Sequence, residues 1–359
     1  MIEKILAYIL ACCNNSEFEQ TTVALISENL KISRSQVSVV LNKLVKENKL
    51  IRIESKPFCF ISVEYLKEKS IPFKDSVYAS LDDLLSNQEK KDFEKLVGMN
   101  HSLAQTVKQC KATISYPPNG LPMLLYGPTG TGKSLIAKLT YEWARNQGVI
   151  SKDGQFVQVN CSEYANNPEL LTANLFGHVK GAFTGAEKDN EGLIALADNG
   201  VLFLDEVHEL KAECQEKLFL FMDQGIYHRV GDNEKWYKSN VRIVFATTEN
   251  PDKVLLKTLM RRIPMTITIP SLEQRGTQER IELLHNIFSQ EEKRLDCQIK
   301  MSSKVYNALL QSKMPGNIGQ LKSSVQSCCI NSLFDKVNDE LVIHLDSLPK
   351  DILQQVYAN

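Results

Sequence analysis

Gly127-Pro128-Thr129-Gly130-Thr131-Gly132-Lys133-Ser134 has the residue types and spacing of a phosphate cradle. The glycines let backbone amides turn inward around a phosphate, and a following helix N-terminus adds a favourable dipole. Lys133 is placed to reach the β and γ phosphates of a nucleotide, and the Ser134 hydroxyl suits Mg²⁺. The apolar run Met123-Leu124-Leu125-Tyr126 precedes the motif and a helical pattern through Leu139 follows it, the strand–loop–helix setting that the chemistry requires. Further on, Val201-Leu202-Phe203-Leu204 forms a second buried strand that delivers Asp205 and Glu206 to its C-terminal end. Asp205 would orient the magnesium shell and Glu206 would activate a water. Together these residues imply transfer of a phosphoryl group from ATP to water.

Two more apolar runs must carry this constellation. Phe156-Val157-Gln158-Val159 ends in Asn160, and Val241-Arg242-Ile243-Val244-Phe245-Ala246 ends in Thr247-Thr248. An Asn at a strand end is by itself a turn former. Strands alternating with helical segments imply an α/β fold, a parallel sheet covered by helices on both sides, over residues 93–270. The charged helical pattern of 271–359 implies a helical lid and C-terminal tail. Between the two acidic and glycine-rich motifs lies Gly181-Ala182-Phe183-Thr184-Gly185-Ala186, preceded by Leu175-Phe176-Gly177-His178. Glycines at both ends permit a tight exposed loop, and Phe183 with Thr184 would form a small gripping surface at its tip. A Phe tucked into the core is the alternative that the residues alone leave open. His178, His208 and His228 show no metal-ligand spacing.

Residues 1–72 read as a separate domain. Ile2, Ile5, Leu6, Ile9 and Leu10 fall on one helical stripe, and Glu3 argues against a signal peptide. Ser33 followed by Gln36 matches a capping box that opens a helix with Val37, Val40, Leu41, Leu44 and Val45 on one face. Two short alternating runs joined by Ser55-Lys56-Pro57 complete the pattern of a winged helix-turn-helix. Seven basic residues between 31 and 56 face two acidic ones, and Arg34, Ser35, Gln36 and Ser38 are candidate base readers with Lys56 at a phosphate. The alternative is a winged helix that contacts protein. Residues 73–92 read as a short helical linker.

The chain of 359 residues is 43% hydrophobic and 24% charged, an ordinary globular composition. Its net charge of -1 excludes a uniformly basic nucleic-acid coat. Nine scattered cysteines fit buried free thiols in a reducing cytoplasm, and no apolar run reaches the ~18 residues of a membrane span.

The hexapeptide 181–186, with the phosphate loop and the acidic pair, resembles the AAA+ ATPase domain of bacterial activators of sigma-54 RNA polymerase. The resemblance implies that Gly181, Ala182, Phe183, Thr184, Gly185 and Ala186 grip the sigma factor. It implies that Asn160 couples Glu206 to nucleotide state, that Thr247 reports the γ-phosphate, and that Val97-Gly98 borders the adenine. Arg261-Arg262 stand where relatives carry an arginine finger for the neighbouring subunit's ATP, which implies a homo-oligomeric ring, a hexamer. Leu255 or Lys257 falls near a second finger of relatives, and 225–240 resembles their second pore loop. Pro315-Gly316-Asn317-Ile318-Gly319-Gln320-Leu321 is similar to the family's lid motif but has Gly319 where an Arg is usual, which puts lid closure in question. The chain is similar to the levan-operon-regulator type, in which a DNA-binding domain precedes the ATPase and phosphotransferase-system regulation domains follow. The expectation is a cytoplasmic ATP-dependent activator at upstream DNA sites that opens sigma-54 promoters for sugar-utilisation genes, as a short form or interrupted product without those regulation domains. A DNA-binding protein with weak motor activity, or an ATPase for another protein client, are the alternatives.

Overall fold

The computed structural model describes residues 1–15, 17–54, 57–69, 71, 73, 75–78, 80–81, 84, 92–335 and 339–358. They fall into two units, Met1–Lys90 and Lys91–Asn359.

In the first unit the apolar stripes become three helices, α1 (Ile2–Asn14), α2 (Val23–Leu30) and α3 (Arg34–Lys46). Ile5 and Ile9 of α1 and Leu41 and Leu44 of α3 are fully buried, each contributing roughly 1.5–3 kcal/mol. Thr22 and Ser33 cap α2 and α3 by accepting from the amides of Leu25 and Gln36. The expected capping box is half formed, because the Ser33 hydroxyl donates to Gln36 Oε1 at 2.8 Å. Strands β1 (Leu50–Ile53) and β2 (Cys59–Ser62) pair antiparallel, and a short helix α4 (Val63–Glu68) follows. The expectation of a helical linker from 73 to 92 does not hold at β3 (Val77–Tyr78), which pairs parallel to β1. Tyr78 and Leu84 are buried in the core of this unit. A β-branched residue and an aromatic two positions after an exposed acid suffice for an added strand once a free edge is offered. Lys56 lies outside the described residues.

The second unit is built on a five-stranded parallel sheet in the order β10-β4-β9-β6-β5: β4 (Met123–Tyr126), β5 (Phe156–Asn160), β6 (Val201–Asp205), β9 (Arg242–Thr247) and β10 (Met265–Thr268). A hairpin of β7 (Ile226–Tyr227) and β8 (Tyr237–Lys238) interrupts the sequence between them. The three central strands, β4, β9 and β6, are apolar at almost every position because helices cover both faces, while the edge strands β5 and β10 alternate with exposed polar residues. Alternation sends Leu124, Leu202, Leu204 and Phe245 into one core and Met123, Leu125, Phe203 and Val244 into the other. The covering helices are α5 (Ala104–Ile114), α6 (Lys133–Asn146), α7 (Pro168–Phe176), α8 (Leu193–Leu196), α9 (Ala212–Gln224), α10 (Pro251–Val254) and α11 (Lys257–Met260). A lid follows, with its own core: α12 (Thr277–Leu295), α13 (Ser303–Gln311), α14 (Asn317–Asn331), α15 (Lys350–Ala358) and the parallel pair β11 (Gln298–Met301) and β12 (Glu340–Ile343). Because the sheet is parallel, 127–134, Asn160, Asp205-Glu206 and Thr247 all emerge at one edge, where α/β sheets bind ligands.

Candidate active site

Residues 129–135 meet the ends of β6 and the lid around a cleft of about 480 Å³. The loop is shaped by close approach as much as by turns. A Cβ on Gly127 would lie 2.7 Å from the Ile269 carbonyl, and one on Gly130 would lie 2.1 Å from that of Gly316. Lys133 is buried, with Nζ donating to the carbonyls of Gly127 at 2.9 Å and Pro128 at 3.2 Å. Burial pushes its ammonium below the ordinary lysine value, opposed by the carboxylates of Glu206 and Asp205. A partly desolvated cation beside a loop of inward-turned amides is suited to a polyanion.

Ser134 Oγ donates to Asp205 Oδ2 at 2.9 Å, joining the two motifs. A hydroxyl and a carboxylate side by side at the phosphate loop are hard oxygen ligands of the kind Mg²⁺ takes. Glu206 follows in the left-handed region, at φ 49, a strained conformation for a residue with a Cβ. Its Oε2 accepts from Thr248 Oγ1 at 3.0 Å and lies 3.4 Å from His208 Nδ1. The same ring nitrogen is 3.1 Å from Thr247 Oγ1. Thr248 and not Thr247 therefore meets the acidic pair, while Thr247 is fully buried and also accepts from the Glu249 amide at 3.1 Å.

Asn160 departs from the switch arrangement. It is opposite Asp205 in the β5–β6 register, yet its Oδ1 accepts from the amide and hydroxyl of Ser162 at 3.2 and 2.9 Å. It caps the short 3-10 helix Cys161–Tyr164, the turn-forming role an Asn has at a strand end. Arg262 is likewise occupied: it grips Asp223 through Nε at 2.6 Å and Nη2 at 2.5 Å, and stacks over Phe219. That bidentate bond draws the Asp223 carboxyl below its ordinary value. Arg261 is exposed and has no such partner among the described residues. Leu255 is buried, and Lys257 is exposed at the start of α11. Val97 borders the cleft, whereas Gly98 is buried, where a Cβ would lie 2.1 Å from Glu279 Oε1.

That carboxylate belongs to a network the sequence did not disclose. Buried Arg275 sits 3.7 Å from Glu279 and donates to the Thr131 carbonyl at 2.7 Å and to that of Pro270 at 3.2 Å. Burial pushes its guanidinium below the ordinary arginine value, and Glu279 opposes the shift. Asn317, also buried, donates to the Thr129 carbonyl at 2.9 Å and accepts from the Leu272 amide at 2.8 Å. The Gly319 amide donates to the Gly130 carbonyl at 3.2 Å. Three successive loop carbonyls are thus held from the lid. Gly319 has no side chain to offer a nucleotide, but its backbone makes the lid touch the loop.

Residues 177–192 form an arm between α7 and α8. His178 and Asn190 pair at its base, and the Val179 and Val230 backbones tie it to the segment after β7. At the tip, Gly181 and Gly185 have φ of 82 and 99, and a Cβ added to either would have no atom within 4 Å. The Gly181 amide donates to the Ala186 carbonyl at 2.8 Å and the Ala186 amide to that of Phe183 at 3.0 Å, closing the turn. Phe183 is 38% exposed and rests edge-on against the His178 ring at 4.9 Å. Its side chain stands outside the core, and Thr184 is exposed beside it. His228 accompanies the exposed Trp236 on the neighbouring hairpin, with ring centroids 3.7 Å apart.

Residues 96–267 match the family model described as the sigma-54 interaction domain. Residues 96–267 are thus a sigma-54 interaction domain. It is 43% identical over 92% of its length to the transcriptional regulatory protein LevR of Bacillus subtilis (strain 168), of which it covers 37%. It is 36% identical over 92% of its length to the transcriptional regulatory protein DagR of Salmonella typhimurium (strain 14028s / SGSC 2262), of which it covers 36%. The chain spans little more than a third of the length of these two relatives. Crystal structures of NtrX from Brucella abortus are similar in fold: the ADP complex has a TM-score of 0.58 at 25% identity, covering 72% of this chain and 56% of NtrX. The ATP complex has a TM-score of 0.60 at 24% identity, covering 76% and 59%. The sigma-54 interaction domain here has the α/β AAA+ fold.

The glycine-rich loop 127–134, the acidic pair and the loop 181–186 are visible from local spacing. Thr248 and His208 escape that reading, though each lies within three residues of a motif residue. The loop contacts of Arg275 and Asn317 carry no local signal, although Asn317 lies within the lid motif 315–321, because they are made across 144 and 188 residues of chain. Among the described residues there is no helix long and apolar enough to cross a membrane, and no cluster of three His, Cys, Asp or Glu residues that could hold a metal.

Proposed function

We propose that the chain is an ATP-driven activator that remodels sigma-54 RNA polymerase from the closed to the open promoter complex. The observation that carries this reading is the pairing of a built phosphate site with an arm whose Phe183 and Thr184 are exposed at its tip. An exposed aromatic on a glycine-bounded turn is suited to a protein partner, and the family match supplies the sigma factor as that partner.

The triphosphate of ATP would lie along 127–134, its charge met by loop amides and Lys133. Ser134 and Asp205 would hold Mg²⁺, which when bound neutralises charge on the phosphates. Glu206 would accept a proton from the attacking water, and Thr248 and His208 fix the carboxylate that does so. Val97 would border the base. Thr247, buried behind His208, would act through that ring and not by touching phosphate. Arg261 is free to reach a neighbouring subunit's ATP in a hexameric ring; Arg262 is held by Asp223 and would serve the position of α11. Asn160 would act by shaping the turn after β5.

The first unit supports a winged helix-turn-helix that binds upstream DNA. A three-residue turn joins α2 to α3, Arg34, Ser35 and Gln36 are exposed on the first turn of α3, and Ser38 is half-buried behind them. Among the described residues, ion pairs of Lys43 and Lys49 with Glu47, and of Arg52 with Glu54, leave Lys31, Arg34 and Lys46 as the uncommitted charges there, with Lys56 the expected phosphate contact of the wing. By kinship with the levan-operon regulators the target genes would serve sugar use, and the site of action would be the cytoplasm.

The test is promoter opening by sigma-54 RNA polymerase with the purified chain, ATP being compared with a non-hydrolysable analogue. Opening that requires hydrolysable ATP and disappears in Glu206→Gln, with hydrolysis down about 10²–10⁴-fold, supports the reading. ATP turnover without opening would mean another client.

A further inference from the structure

Helix α3 buries Val37, Val40, Leu41, Leu44 and Val45 in the core of the first unit. Ser35, Val39, Asn42 and Lys46, spaced four, three and four residues apart, fall on the opposite face and are exposed. In the first turn Gln36 is engaged in the cap, its Oε1 accepting from the Ser33 hydroxyl at 2.8 Å. Val39 stands in the middle of the outward stripe at 69% exposure, the highest of the large apolar side chains described in the first unit. A β-branched apolar residue gains nothing on a solvated helix face, where Ala or Lys is the better helix former.

The chemistry around Val39 points to its partner. Helix α3 carries Arg34, Lys43 and Lys46 and no acidic residue, so this face suits a polyanion. In the major groove of DNA, thymine alone of the four unmodified bases presents an apolar group, its 5-methyl. An apolar side chain set among polar ones on a basic helix therefore matches a thymine. Asn42, one turn on, has the amide donor and acceptor that pair with adenine N7 and N6.

We infer that Val39 reads the 5-methyl of a thymine in the major groove, so that the upstream site carries an A·T pair where α3 crosses it. The inference rests on the reading of the first unit as a DNA-binding winged helix. It shifts base recognition from the first turn of α3 to the stripe through Ser35, Val39 and Asn42, with Lys46 at a phosphate.

The experiment selects duplexes from a random-sequence library with the full chain, then measures equilibrium binding to the enriched duplex at fixed salt. Each thymine is exchanged in turn for deoxyuridine, which removes the methyl and keeps the pairing. The parent chain is compared with Val39→Ala, Val39→Ile and Lys46→Ala. One exchange is expected to weaken the parent about fourfold, or about 0.8 kcal/mol, the burial of one methyl group. Val39→Ala should bind the thymine duplex several-fold more weakly and be indifferent to that exchange, while Val39→Ile keeps the response. Lys46→Ala should weaken both duplexes alike and flatten the salt dependence, which separates charge from base reading. Because Val39 is exposed, thermal unfolding of Val39→Ala should match the parent. If a sequence is enriched but no exchange weakens the parent, or the response persists unchanged in Val39→Ala, the inference falls and the DNA reading stands. Equal binding to every duplex also overturns the inference. If the full chain binds no duplex even at low salt, the DNA reading itself falls, and α3 would be a protein-contacting face.

Discussion

The two glycine-rich turns of the sigma-54 interaction domain use the same residue for opposite reasons. In 127–134 the glycines at 127 and 130 make room, since backbone carbonyls of Ile269 and Gly316 stand where a Cβ would be. In 181–186 the glycines at 181 and 185 face open space and are needed only for their positive φ. The first turn is enclosed and its carbonyls are bound by the lid; the second is anchored at its base and leaves Phe183 and Thr184 exposed. On the proposed function the first would hold a ligand still and the second would present side chains to a partner. Substitutions should separate the two, in the order of their effect on folding and nucleotide affinity.

The largest effect is expected for Gly130→Ala. The added methyl meets the Gly316 carbonyl at 2.1 Å in a residue that also has φ 75, so the loop and the start of α14 must part. ATP affinity should fall about a hundredfold or more, with a Tm drop of several degrees, since 1 kcal/mol moves Tm by about 2–4 °C in a domain of this size. Calorimetry with and without ATP reads both. A protein that binds ATP normally would show that the loop–lid contact is dispensable.

Asn317→Ala comes next. It leaves the Thr129 carbonyl and the Leu272 amide without their partner in a buried setting, and an unsatisfied buried group costs about 1–3 kcal/mol. The expected outcome is a Tm loss of several degrees and weaker ATP binding, checked by the same scans. Thr184→Ala should move neither quantity, because the side chain is exposed. ATP turnover should stay within about twofold while promoter opening is lost. A fall in ATP affinity in this variant would erase the division of labour between the two turns.

The contrast also explains what the sequence disclosed. The phosphate loop, Asp205-Glu206 and 181–186 are contiguous, so residue type and spacing were enough, and the parallel sheet followed from four apolar runs, two ending at the phosphate loop and the acidic pair and two at Asn160 and Thr247. Lid contacts were not legible, because Arg275 and Asn317 find the loop only after the chain has folded back on itself. Gly319 read as a loss, yet its missing side chain coexists with a direct hydrogen bond from its amide to the Gly130 carbonyl. Arg261 and Arg262 could not be told apart in sequence; a carboxylate from α9, Asp223, separates them. Asn160 and Thr248 show the same limit on a finer scale, since side-chain direction at a strand end depends on the turn that follows. The strand at Val77–Tyr78 needed the free edge of β1 to exist.

The smallest effect on folding is expected for Gly185→Ala, and it is the sharpest test of the comparison. Its φ of 99 disfavours any residue with a Cβ, but there is no atom for the methyl to strike. The cost should therefore be conformational alone, about 1–2 kcal/mol, and part of it can relax because the tip is exposed. The nucleotide site should not feel it: ATP Kd and turnover are expected to match the parent chain. Promoter opening should still suffer, since the turn aims Phe183 and Thr184 through the bonds of Gly181 to Ala186 and Ala186 to Phe183. If Gly185→Ala instead destabilises the domain as much as Gly130→Ala, the tip is packed in solution and its glycines serve close approach as well. If opening survives intact, the conformation of the turn matters less than the identity of the two side chains it carries.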